Sequence, residues 1–462
     1  PERALRLPDD APAQAARQVT VRLRQAGFEA YLAGGCVRDV LLGRAPKDYD
    51  VATSATPDQV QALFPRTVAV GAAFGVVRVL VPGPEGDVAV EVATFRTEGP
   101  YEDGRRPSSV RFSDARSDVL RRDFTINGLL MDPETGEVLD YVGGLEDLRA
   151  GTVRAIGDPR QRFEEDRLRM LRAVRLSAEL AFRIHPDTLE AIREQAPLIR
   201  SVSAERVYEE LSRLLVSPGR GAGLRLLEES GLLRELLPEV AAMRGVPQPE
   251  EYHPEGDVFE HTVRVLEALR DPTVTLAWGA LLHDVGKPLT YEVRERIRFP
   301  RHDEVGAQVA DQVMRRLRAS NEQVERVTAL VRGHMRVKDF PQMREAKRRR
   351  LAGSSEFPEL VELLRADSVA SHGDLTVYEW IQAWLRERAS EPLRPARLVT
   401  GHDLIALGLR PGPVFRDILD AVYNAQLEGQ VKTRQQALAL AAREVQRRAA
   451  GGEAPAGVEP HG

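Results

Sequence analysis

The N-terminal part of the chain contains the stretch GGCVRD at residues 34–39, followed by DYD at residues 48–50. The apolar residues 31–33 predict the end of a short strand, and residues 37–42 predict the first turns of a helix. Glycine carries no Cβ, so the backbone can approach a bulky anion at this turn, and the first N–H groups of the helix would face the same anion. The pattern predicts a phosphate-binding turn between a strand and a helix.

The second stretch carries two carboxylates. Residues 47–51 predict a strand in which Asp48 and Asp50 share one face and Tyr49 points to the other, because side chains alternate along a strand. Carboxylates on one face repel each other, and a divalent cation such as Mg²⁺ between them relieves that repulsion. Glu91 lies among the valines of a later predicted strand, as a cross-strand partner or, in the hypothesis we favour, a third oxygen ligand. Phosphate turn and carboxylates together predict metal-assisted nucleotidyl transfer.

Each of these features also has a simpler interpretation. A diglycine before a helix is commonly only a tight turn, and two acids on a surface strand are commonly solvated. The combination of both at this spacing, with Arg38 and Asp39 between them, is much more specific.

Composition limits the class of protein. The chain has 462 residues, too many for one hydrophobic core, so we expect about two to four domains. The net charge of −5 and the aromatic content of 5% predict that any RNA contact is a local patch. Cys36 is the single cysteine, which excludes internal disulfides and predicts a cytoplasmic location. No apolar run is long enough to span a membrane, so no membrane partner is expected, and nothing in the sequence indicates an oligomeric state.

Sequence periodicity predicts strands mainly before residue 150 and helices after it. The predicted elements are a loose arm to about residue 18, a helix over 15–26, a helix capped by Thr56, a strand pair over 76–81 and 88–94, a polar loop over 98–109, a turn over 140–147, an arginine-rich helix over 163–180, a helix beginning after Ser203, helices over 218–245 with breaks at Gly231 and Pro238, and helices over 398–446.

Two further stretches are rich in charge, RRDFTIN at residues 121–127 and EDRLR at residues 165–169. Arginines beside an acid commonly form a solvated cluster, but beside a triphosphate they suit bidentate phosphate contact. The second stretch is most simply a solvated helix face. If Asp166 and Arg169 share that face, they suit the pairing edge of cytosine or adenine, which presents an amino donor beside an acceptor nitrogen. Uracil and guanine present an N–H donor at that ring position, so both would pair unfavourably with these two side chains.

In this order, the four stretches resemble the successive motifs of the class II tRNA nucleotidyltransferases, over about residues 25–245. That family comprises the CCA-adding enzymes and the bacterial poly(A) polymerases. The resemblance implies addition or repair of the 3′-terminal CCA of tRNA from CTP and ATP, with Mg²⁺ and a protein template. Gly128 and Leu176 depart from the usual residues of the family. The resemblance implies catalytic roles for Asp48, Asp50 and Glu91, with Asp48 and Asp50 on the metal, and nucleotide binding by Gly34, Gly35, Arg38, Arg121, Arg122, Asp123, Asn127, Asp166, Arg169 and Arg172.

A second group of functional residues follows the Pro/Gly-rich residues 245–256, which predict a domain boundary. A single buried histidine is commonly a core residue, but a His-Asp pair with separate histidines and a distant acid indicates a divalent metal site. Residues 255–375 resemble the HD phosphohydrolase superfamily. The resemblance implies Mn²⁺, Ni²⁺ or Mg²⁺, a cyclic or terminal phosphate as substrate, a phosphate contact for Lys287, core ligands His261, His283, Asp284 and Asp367, and a second metal position completed by His302 and His334.

The expected fold is an α+β N-terminal nucleotidyltransferase domain with a small mixed sheet, followed by all-α neck, body and HD domains. We expect a catalytic domain over 20–150, a templating and neck/body domain over 151–245, an HD domain over 250–385, a helical RNA-binding region over 390–446 and a disordered tail over 449–462. The basic cluster at residues 347–350 is either a solvated helix face or an RNA contact.

Three alternative functions stay open. The first is an A-adding enzyme or poly(A) polymerase; the polar loop over 98–109 argues only against an enzyme that adds C alone. The second is an HD phosphohydrolase whose N-terminal domain binds nucleotide as a regulator. The third is a tRNA chaperone without catalysis.

Overall fold

The structure is a computed structural model that describes residues 7–71, 75–98, 109–251, 253 and 256–450. The chain forms two compact units. The first comprises the chain up to Val246 with residues 271–278 and 312–321, and the second comprises the remaining residues from Pro247 onwards. Within the described residues, no helix combines the length and the apolar character that a bilayer crossing requires.

The first unit is built on a mixed sheet. Its described strands are β1 (Ala30–Ala33), β2 (Asp50–Thr53), β3 (Thr67–Gly71), β4 (Val76–Gly83), β5 (Gly86–Thr94), β6 (Arg96–Glu98), β7 (Val110–Phe112), β8 (Leu129–Met131) and β9 (Val138–Asp140). Seven of them form one sheet in the order β3-β4-β5-β2-β1-β8-β9, and β6 pairs with β7 separately. Only the β2–β5 pair is parallel among these sheet neighbours. The small mixed sheet predicted from the sequence is confirmed.

Strand register places the acidic residues beside the diglycine turn. Asp50 lies opposite Glu91 in the parallel β2–β5 pair. On its other side, Asp50 lies opposite Ala33, the last residue of β1 before the turn. Asp50, Glu91 and the diglycine turn therefore lie next to one another on three adjacent strands of the sheet.

The first unit also contains helices, some between the strands of this sheet in sequence and the others after its last strand. They are α1 (Ala11–Gln25), α2 (Gly35–Leu41), α3 (Pro57–Leu63), α4 (Ala115–Leu120), α5 (Gly144–Ala150), α6 (Pro159–Glu165), α7 (Leu168–Leu180), α8 (Pro186–Gln195), α9 (Ala204–Val216), α10 (Arg220–Glu229), α11 (Leu232–Leu236) and α12 (Pro238–Ala241), with 3-10 helices at Thr125–Asn127 and Ala196–Ser201 and a parallel pair of β10 (Thr152–Val153) and β11 (Arg183–Ile184). The predicted breaks at Gly231 and Pro238 and the predicted start after Ser203 are confirmed.

Three predicted boundaries in this unit are wrong. Helix α1 begins at Ala11, not in a loose arm, because the Asp10 carboxylate caps it by accepting the N–H of Ala13 at 2.8 Å. Strand β2 begins only at Asp50, since β1 ends where Gly34 turns with a φ of 78°, and earlier residues have no strand partner. The turn predicted over 140–147 ends at residue 143, and α5 follows.

The prediction of one arginine-rich helix over residues 163–180 is also wrong, because the chain forms two helices there. Helix α6 ends at Glu165, and Asp166 is extended with φ −139° and ψ 104°. The Asp166 carboxylate accepts the N–H of Leu168 at 3.2 Å, so its short side chain competes with the helical backbone bonds. Asp166 and Arg169 therefore do not share a helix face through their spacing.

The rest of the chain is helical apart from one short hairpin. Its described elements are α13 (Val258–Ala268), α14 (Val274–Leu282), α15 (Lys287–Thr290), β12 (Glu292–Val293), β13 (Ile297–Arg298), α16 (His302–Arg316), α17 (Asn321–Gly333), a 3-10 helix at Arg336–Gln342, α18 (Glu345–Ala352), α19 (Phe357–Ala370), α20 (Thr376–Glu387), α21 (Gly401–Ala406), α22 (Pro413–Leu427) and α23 (Arg434–Ala450). One core surrounds Phe340 and Trp384, and another surrounds Ile418 and Val422. The predicted helical character is confirmed, and the β12–β13 hairpin and the β10–β11 pair are departures from an all-α fold.

The basic cluster at residues 347–350 is engaged largely within the protein. The Arg348 guanidinium lies 4.9 Å from the centre of the Trp380 ring, and that of Arg350 lies 5.0 Å from the centre of the Tyr423 ring. Arg349 forms ion pairs with two acids. These arginines join α18 to α20 and α22. Two other predictions, the loop over 98–109 and the tail over 449–462, fall mainly on residues 99–108 and 451–462, which lie outside the described residues.

Candidate active site and metal centre

The diglycine turn brings the backbone close to two arginines. Gly34 has a φ of 78°, and a Cβ there would lie 3.2 Å from Nη1 of Arg122. A Cβ at Gly35, the first residue of α2, would lie 3.4 Å from Nη2 of Arg38. Glycine at both positions leaves room for the guanidinium groups and for an anion between them.

Asp48 and Asp50 open on one cavity of about 850 Å³. Desolvation raises the pKa of Asp50 to about 6, Glu91 adds to this rise, and Arg122 opposes it. Glu91 itself lines a neighbouring cavity of about 200 Å³ that Asp50 also lines, and it forms a 2.8 Å ion pair with Arg78. The large cavity is also lined by Gly34, Gly35, Arg38, Arg121, Arg122, Asp123, Asn127, Asp166, Arg169 and Arg172.

The carboxylates of Asp48 and Asp50 suit a divalent cation by their chemistry, although among the described residues the ligand atoms of Asp48, Asp50 and Glu91 do not form a compact cluster like the two triads of the second unit. Asp50 carries the electrostatic cost of its acidic neighbours, since its raised pKa reflects Glu91 and Asp48 as well as desolvation. A cation bound by Asp48 and Asp50 would remove that cost, and hard oxygen ligands are those that Mg²⁺ takes in proteins.

The two neighbouring arginines of the cavity are held by a residue that sequence reasoning missed. Asp118 is buried and accepts hydrogen bonds from Arg121 at 2.8 Å and from Arg122 at 3.0 Å. Burial alone would raise the pKa of Asp118, but the two guanidinium groups outweigh it and the pKa is lowered. The sequence signal was an acid three and four positions before the arginines on a helix.

A chain of hydrogen bonds runs across the cavity wall. Arg38 donates to the amide oxygen of Asn127 at 2.7 Å, Asn127 donates to Asp123 at 3.2 Å, and Arg172 lies 2.8 Å from the other Asp123 oxygen. Burial raises the pKa of Asp123, but Arg172 and Arg169 lower it further than burial raises it. The buried Nε–H groups of Arg122 and Arg172 have no hydrogen-bond partner among the described residues. Arg122 and Arg172 also line the large cavity, so this wall presents cationic side chains to a ligand.

The two residues predicted to read a base both line the cavity, although they have protein partners. Arg206 lies 2.8 Å from Asp166, and Glu165 lies 2.9 Å from Arg169. Arg169 also donates to the carbonyl of Arg121 at 3.2 Å. Sequence reasoning missed Arg206, because α9 approaches the α6–α7 junction only in the folded unit, whereas Glu165 pairs with Arg169 at the local i,i+4 spacing.

The second unit contains two triads with metal-ligand chemistry. One comprises His261, His283 and Asp367, and the other comprises Asp284, His302 and His334. In each triad the ligand atoms lie within 4.8 Å of one another, and all six side chains are buried. All six predicted ligands are thus brought together. They line or adjoin a cavity of about 540 Å³.

The histidine tautomers also fit a metal. Nδ1 of His283, His302 and His334 lies 2.7, 3.0 and 2.6 Å from the carbonyl three residues earlier, so each Nε2 is left with a lone pair. Among the described residues, the Nε2 atom of His283 is buried without a hydrogen-bond partner, and it lies 3.3 Å from the Asp284 carboxylate. The Nε2 atoms of His302 and His334 face each other at 3.2 Å. Burial lowers the pKa of His334 to about 4, so that ring is neutral at pH 7. Facing lone pairs need a cation between them.

Two lysines lie against the carboxylates of these triads. Lys287 Nζ lies 2.8 Å from Asp284 and donates to Gln248 at 2.7 Å. Lys338, which sequence reasoning missed, lies 2.8 Å from Asp367. Both lysines line the cavity, where a phosphate could reach them. The phosphate contact expected for Lys287 stays a prediction.

Family models match three parts of the chain. The "Poly A polymerase head domain" matches residues 30–154, the "Probable RNA and SrmB- binding site of polymerase A" matches residues 181–244, and the "HD domain" matches residues 258–372.

Similar proteins cover nearly the whole chain. The CCA-adding enzyme of Geobacillus stearothermophilus is 35% identical over 429 residues, which covers 91% of this chain and 94% of that protein. The CCA-adding enzyme of Lactiplantibacillus plantarum is 34% identical over 430 residues, with 92% and 94% covered. The crystal structure of the Bacillus stearothermophilus CCA-adding enzyme in complex with CTP aligns with a TM-score of 0.74 at 30% identity, covering 96% of this chain and 100% of that one. The Thermotoga maritima CCA-adding enzyme complexed with tRNA shares the fold at 17% identity and a TM-score of 0.56, with 93% and 94% covered.

Proposed function

Because the chain belongs to the family of CCA-adding enzymes, we propose that it adds or repairs the 3′-terminal CCA of tRNA with CTP and ATP as substrates. The resemblance to tRNA nucleotidyltransferases noted in the sequence is confirmed. The observation that supports the proposal best is the single cavity that Asp48, Asp50, the diglycine turn and the arginines of residues 121–122 line together.

In the proposed reaction, the 3′-oxygen of the RNA attacks the α-phosphorus, the bond to the β-phosphate breaks, and pyrophosphate leaves. Mg²⁺ bound by Asp48 and Asp50, with Glu91 close by, would lower the pKa of the 3′-hydroxyl and offset charge on the triphosphate. The turn at Gly34 and Gly35 leaves room for the phosphates beside Arg38 and Arg122.

The cationic side of the cavity would hold the triphosphate. Arg38, Arg121 and Arg122 suit bidentate contact with phosphate oxygens. Asp118 keeps the two neighbouring guanidinium groups in place before the nucleotide arrives.

The base would lie against the α6–α7 junction. Asp166 would accept from the exocyclic amino group and Arg169 would donate to the ring acceptor, which favours cytosine and adenine. Arg172 would support them from its position on Asp123, with Asn127 holding that carboxylate from the other side. Since Asp166 and Arg169 have the protein partners Arg206 and Glu165, base binding would exchange these contacts for contacts with the base.

A second activity is favoured by the two metal triads of the second unit. We propose that they hydrolyse a phosphate ester, such as a 2′,3′-cyclic phosphate or a terminal phosphate at a damaged RNA end. A divalent ion held there would supply a nucleophilic hydroxide at neutral pH. The imidazole-rich donor set favours a transition metal such as Mn²⁺ or Ni²⁺ over Mg²⁺. Lys287 and Lys338 would neutralise phosphate oxygens from the cavity wall.

The deciding experiment is extension of tRNA that lacks its last three, two or one nucleotides, with CTP and ATP supplied separately. CCA addition requires CTP for the first two substrates and ATP for the third. Use of ATP on the third substrate alone would indicate an A-adding enzyme, and extension of unrelated RNA with ATP would indicate a poly(A) polymerase. A regulatory nucleotide-binding domain or a tRNA chaperone predicts no incorporation at all.

The domain limits and the location also belong to the proposal. We propose a catalytic domain over 20–150, a templating and neck/body domain over 151–245, an HD domain over 250–385 and an RNA-binding region over 390–446. A tRNA-directed enzyme with one cysteine is expected in the cytoplasm.

A further inference from the structure

One wall of the metal cavity in the second unit is a short β-hairpin. Strands β12 and β13 pair antiparallel, with Glu292 opposite Arg298 and Val293 opposite Ile297. Arg296, Arg298 and the following Phe299 line the cavity whose other walls carry the metal triads. The cavity of about 540 Å³ lies in the size range that accommodates a nucleotide-sized ligand.

The hairpin segment is basic although the chain is acidic. Residues 287–301 contain five basic and two acidic side chains, whereas the whole chain has a net charge of −5. Arg294 and Arg301 form ion pairs with nearby glutamates. Arg296 and Arg298 are exposed, and across the described ranges neither side chain has an ion-pair or hydrogen-bond partner. Two free guanidinium groups therefore stand at the cavity wall.

Aromatic rings connect the outer face of the hairpin with the metal ligands. The Tyr291 ring, in a residue that is 41% exposed, lies 5.9 Å from the Phe299 ring. The Phe299 ring in turn lies 6.5 Å from the imidazole of His302. Leu289 and Val293 are 70% and 61% exposed on the same segment. A free mononucleotide inside the cavity would leave this outer face unused.

We propose that the hairpin binds the single-stranded 3′ end of an RNA chain and so positions its terminal phosphate in the cavity. The terminal phosphate enters the cavity, the next phosphates lie on Arg296 and Arg298, and a base stacks on Tyr291. Exposed aromatic rings beside unpaired arginines suit single-stranded nucleic acid, because every base offers a face for stacking and every linkage offers a negative charge. The identity of the substrate rests on the proposed phosphohydrolase function, whereas binding of RNA by the hairpin does not.

The test compares Arg296→Ala and Arg298→Ala with the full-length wild type on two substrates, in the presence of Mn²⁺ or Ni²⁺. One is an unstructured oligoribonucleotide ending in a 2′,3′-cyclic phosphate, and the other is a mononucleoside 2′,3′-cyclic phosphate. Each variant should lose about 10-fold in kcat/KM on the oligonucleotide and less than about 2-fold on the mononucleotide. The salt dependence of oligonucleotide binding should fall by about 0.7 in logarithmic slope for each arginine removed.

The matched control is Arg386→Ala in α20. Arg386 is exposed, lacks an ion-pair partner among the described residues and does not line the cavity. The Arg386→Ala change removes the same charge from the same unit, but away from the cavity. This variant should therefore behave as wild type on both substrates. Equal losses in Arg386→Ala and Arg296→Ala would reduce the effect to general electrostatics and overturn the proposal.

A readout that needs neither hydrolysis nor metal completes the test. Amide hydrogen exchange of residues 287–301 is measured in EDTA, with and without a 3′-phosphorylated oligoribonucleotide. Protection in the wild type that disappears in the Arg296→Ala, Arg298→Ala double variant supports the proposal. No protection, or equal losses on oligonucleotide and mononucleotide, overturns it. If the wild type hydrolyses neither substrate, the phosphohydrolase function fails, and the exchange experiment still decides whether the hairpin binds RNA.

Discussion

The guanidinium of Arg172 lies 2.8 Å from the carboxylate of Asp123, and this ion pair joins α7 to the segment that follows α4. Asp123 also accepts from Asn127, which in turn accepts from Arg38 on α2. Elements far apart in sequence thus meet in one hydrogen-bonded chain on the cavity wall. A carboxylate as buried as that of Asp123 depends on these partners.

We expect Arg172→Ala to destabilise the protein by about 2–4 kcal/mol, because it leaves the Asp123 carboxylate buried without its cation. The double variant Asp123→Asn, Arg172→Gln should lose less free energy of unfolding than the sum of the losses in its two single variants. Denaturant unfolding measures both. Arg213→Ala is the control, since Arg213 is half exposed and pairs with Glu179 at 3.4 Å on the same cavity. A strictly additive double variant would contradict the coupling.

The two activities should separate by mutation. Asp50→Ala should lower nucleotide incorporation by at least about 100-fold while phosphate ester hydrolysis stays, because the proposed sites use different residues. His283→Ala should do the reverse. Labelled CTP incorporation into truncated tRNA and hydrolysis of a 2′,3′-cyclic nucleotide are measured on both variants. Loss of both activities in a folded Asp50→Ala variant would argue that one centre serves both reactions.

Asp166→Ala should loosen the choice of base more than it weakens triphosphate binding. Loss of one hydrogen bond to a charged group is expected to change the ratio of kcat/KM for CTP against UTP by about 10-fold. Competition between the two nucleotides on truncated tRNA measures this ratio. Glu164→Ala is the neighbouring control, because Glu164 is exposed and does not line the cavity. Wild-type selectivity in Asp166→Ala would refute base reading by this carboxylate.

Divalent transition metal should raise the melting temperature of metal-free protein. A ligand at 100 times its Kd stabilises the folded state by about 2.7 kcal/mol. His334→Ala should weaken this response, since its imidazole faces that of His302 at 3.2 Å. His402→Ala, an exposed histidine outside the triads, should respond as wild type. Differential scanning calorimetry with and without Mn²⁺ provides the measurement, and equal responses of the two variants would speak against metal binding at His334.

Stability should depend on pH through Glu345. Burial raises the pKa of Glu345, but hydrogen bonds from Arg349 and Arg388 outweigh it, so the pKa lies below its ordinary value of 4.5. A lowered folded pKa stabilises the protein above about pH 4.5, and this stabilisation is lost as the pH falls through the folded pKa. Glu345→Gln should therefore melt about 2–4 °C below wild type at pH 7, with a smaller difference below pH 4.5. Glu387→Gln, which is mostly exposed, should show no such trend.

Local sequence signals carried much of the fold. The apolar run before the diglycine predicted β1, and residues 37–42 after it predicted α2, because backbone conformation responds to neighbours a few positions away. The cap at Thr56 and the breaks at Gly231 and Pro238 followed from the same local chemistry. Local signals failed at residues 163–180, where the Asp166 side chain competes with the helix for a backbone N–H.

The composition of the candidate site was also readable, whereas its connections were not. The carboxylates and the arginines are chemically distinctive residue types, and the resemblance to the HD superfamily supplied the six proposed metal ligands, so the sequence named all of these residues. Asp118 and Lys338 escaped notice, because the spacing of Asp118 to the two arginines is common on solvated helices, and a lysine in a 3-10 helix has no distinctive pattern until its partner is known.

The sequence by itself determined the strands and helix around the diglycine turn, the change to helices after residue 150, the residue types of the candidate sites and the family. Tertiary structure alone decided that Asp50 faces Glu91, that Asp123 pairs with Arg172, and that two triads meet around Asp284. The physical reason is range. Capping, turn formation and periodicity act over a few residues, while strand register and ion pairing depend on packing between segments separated by tens of positions.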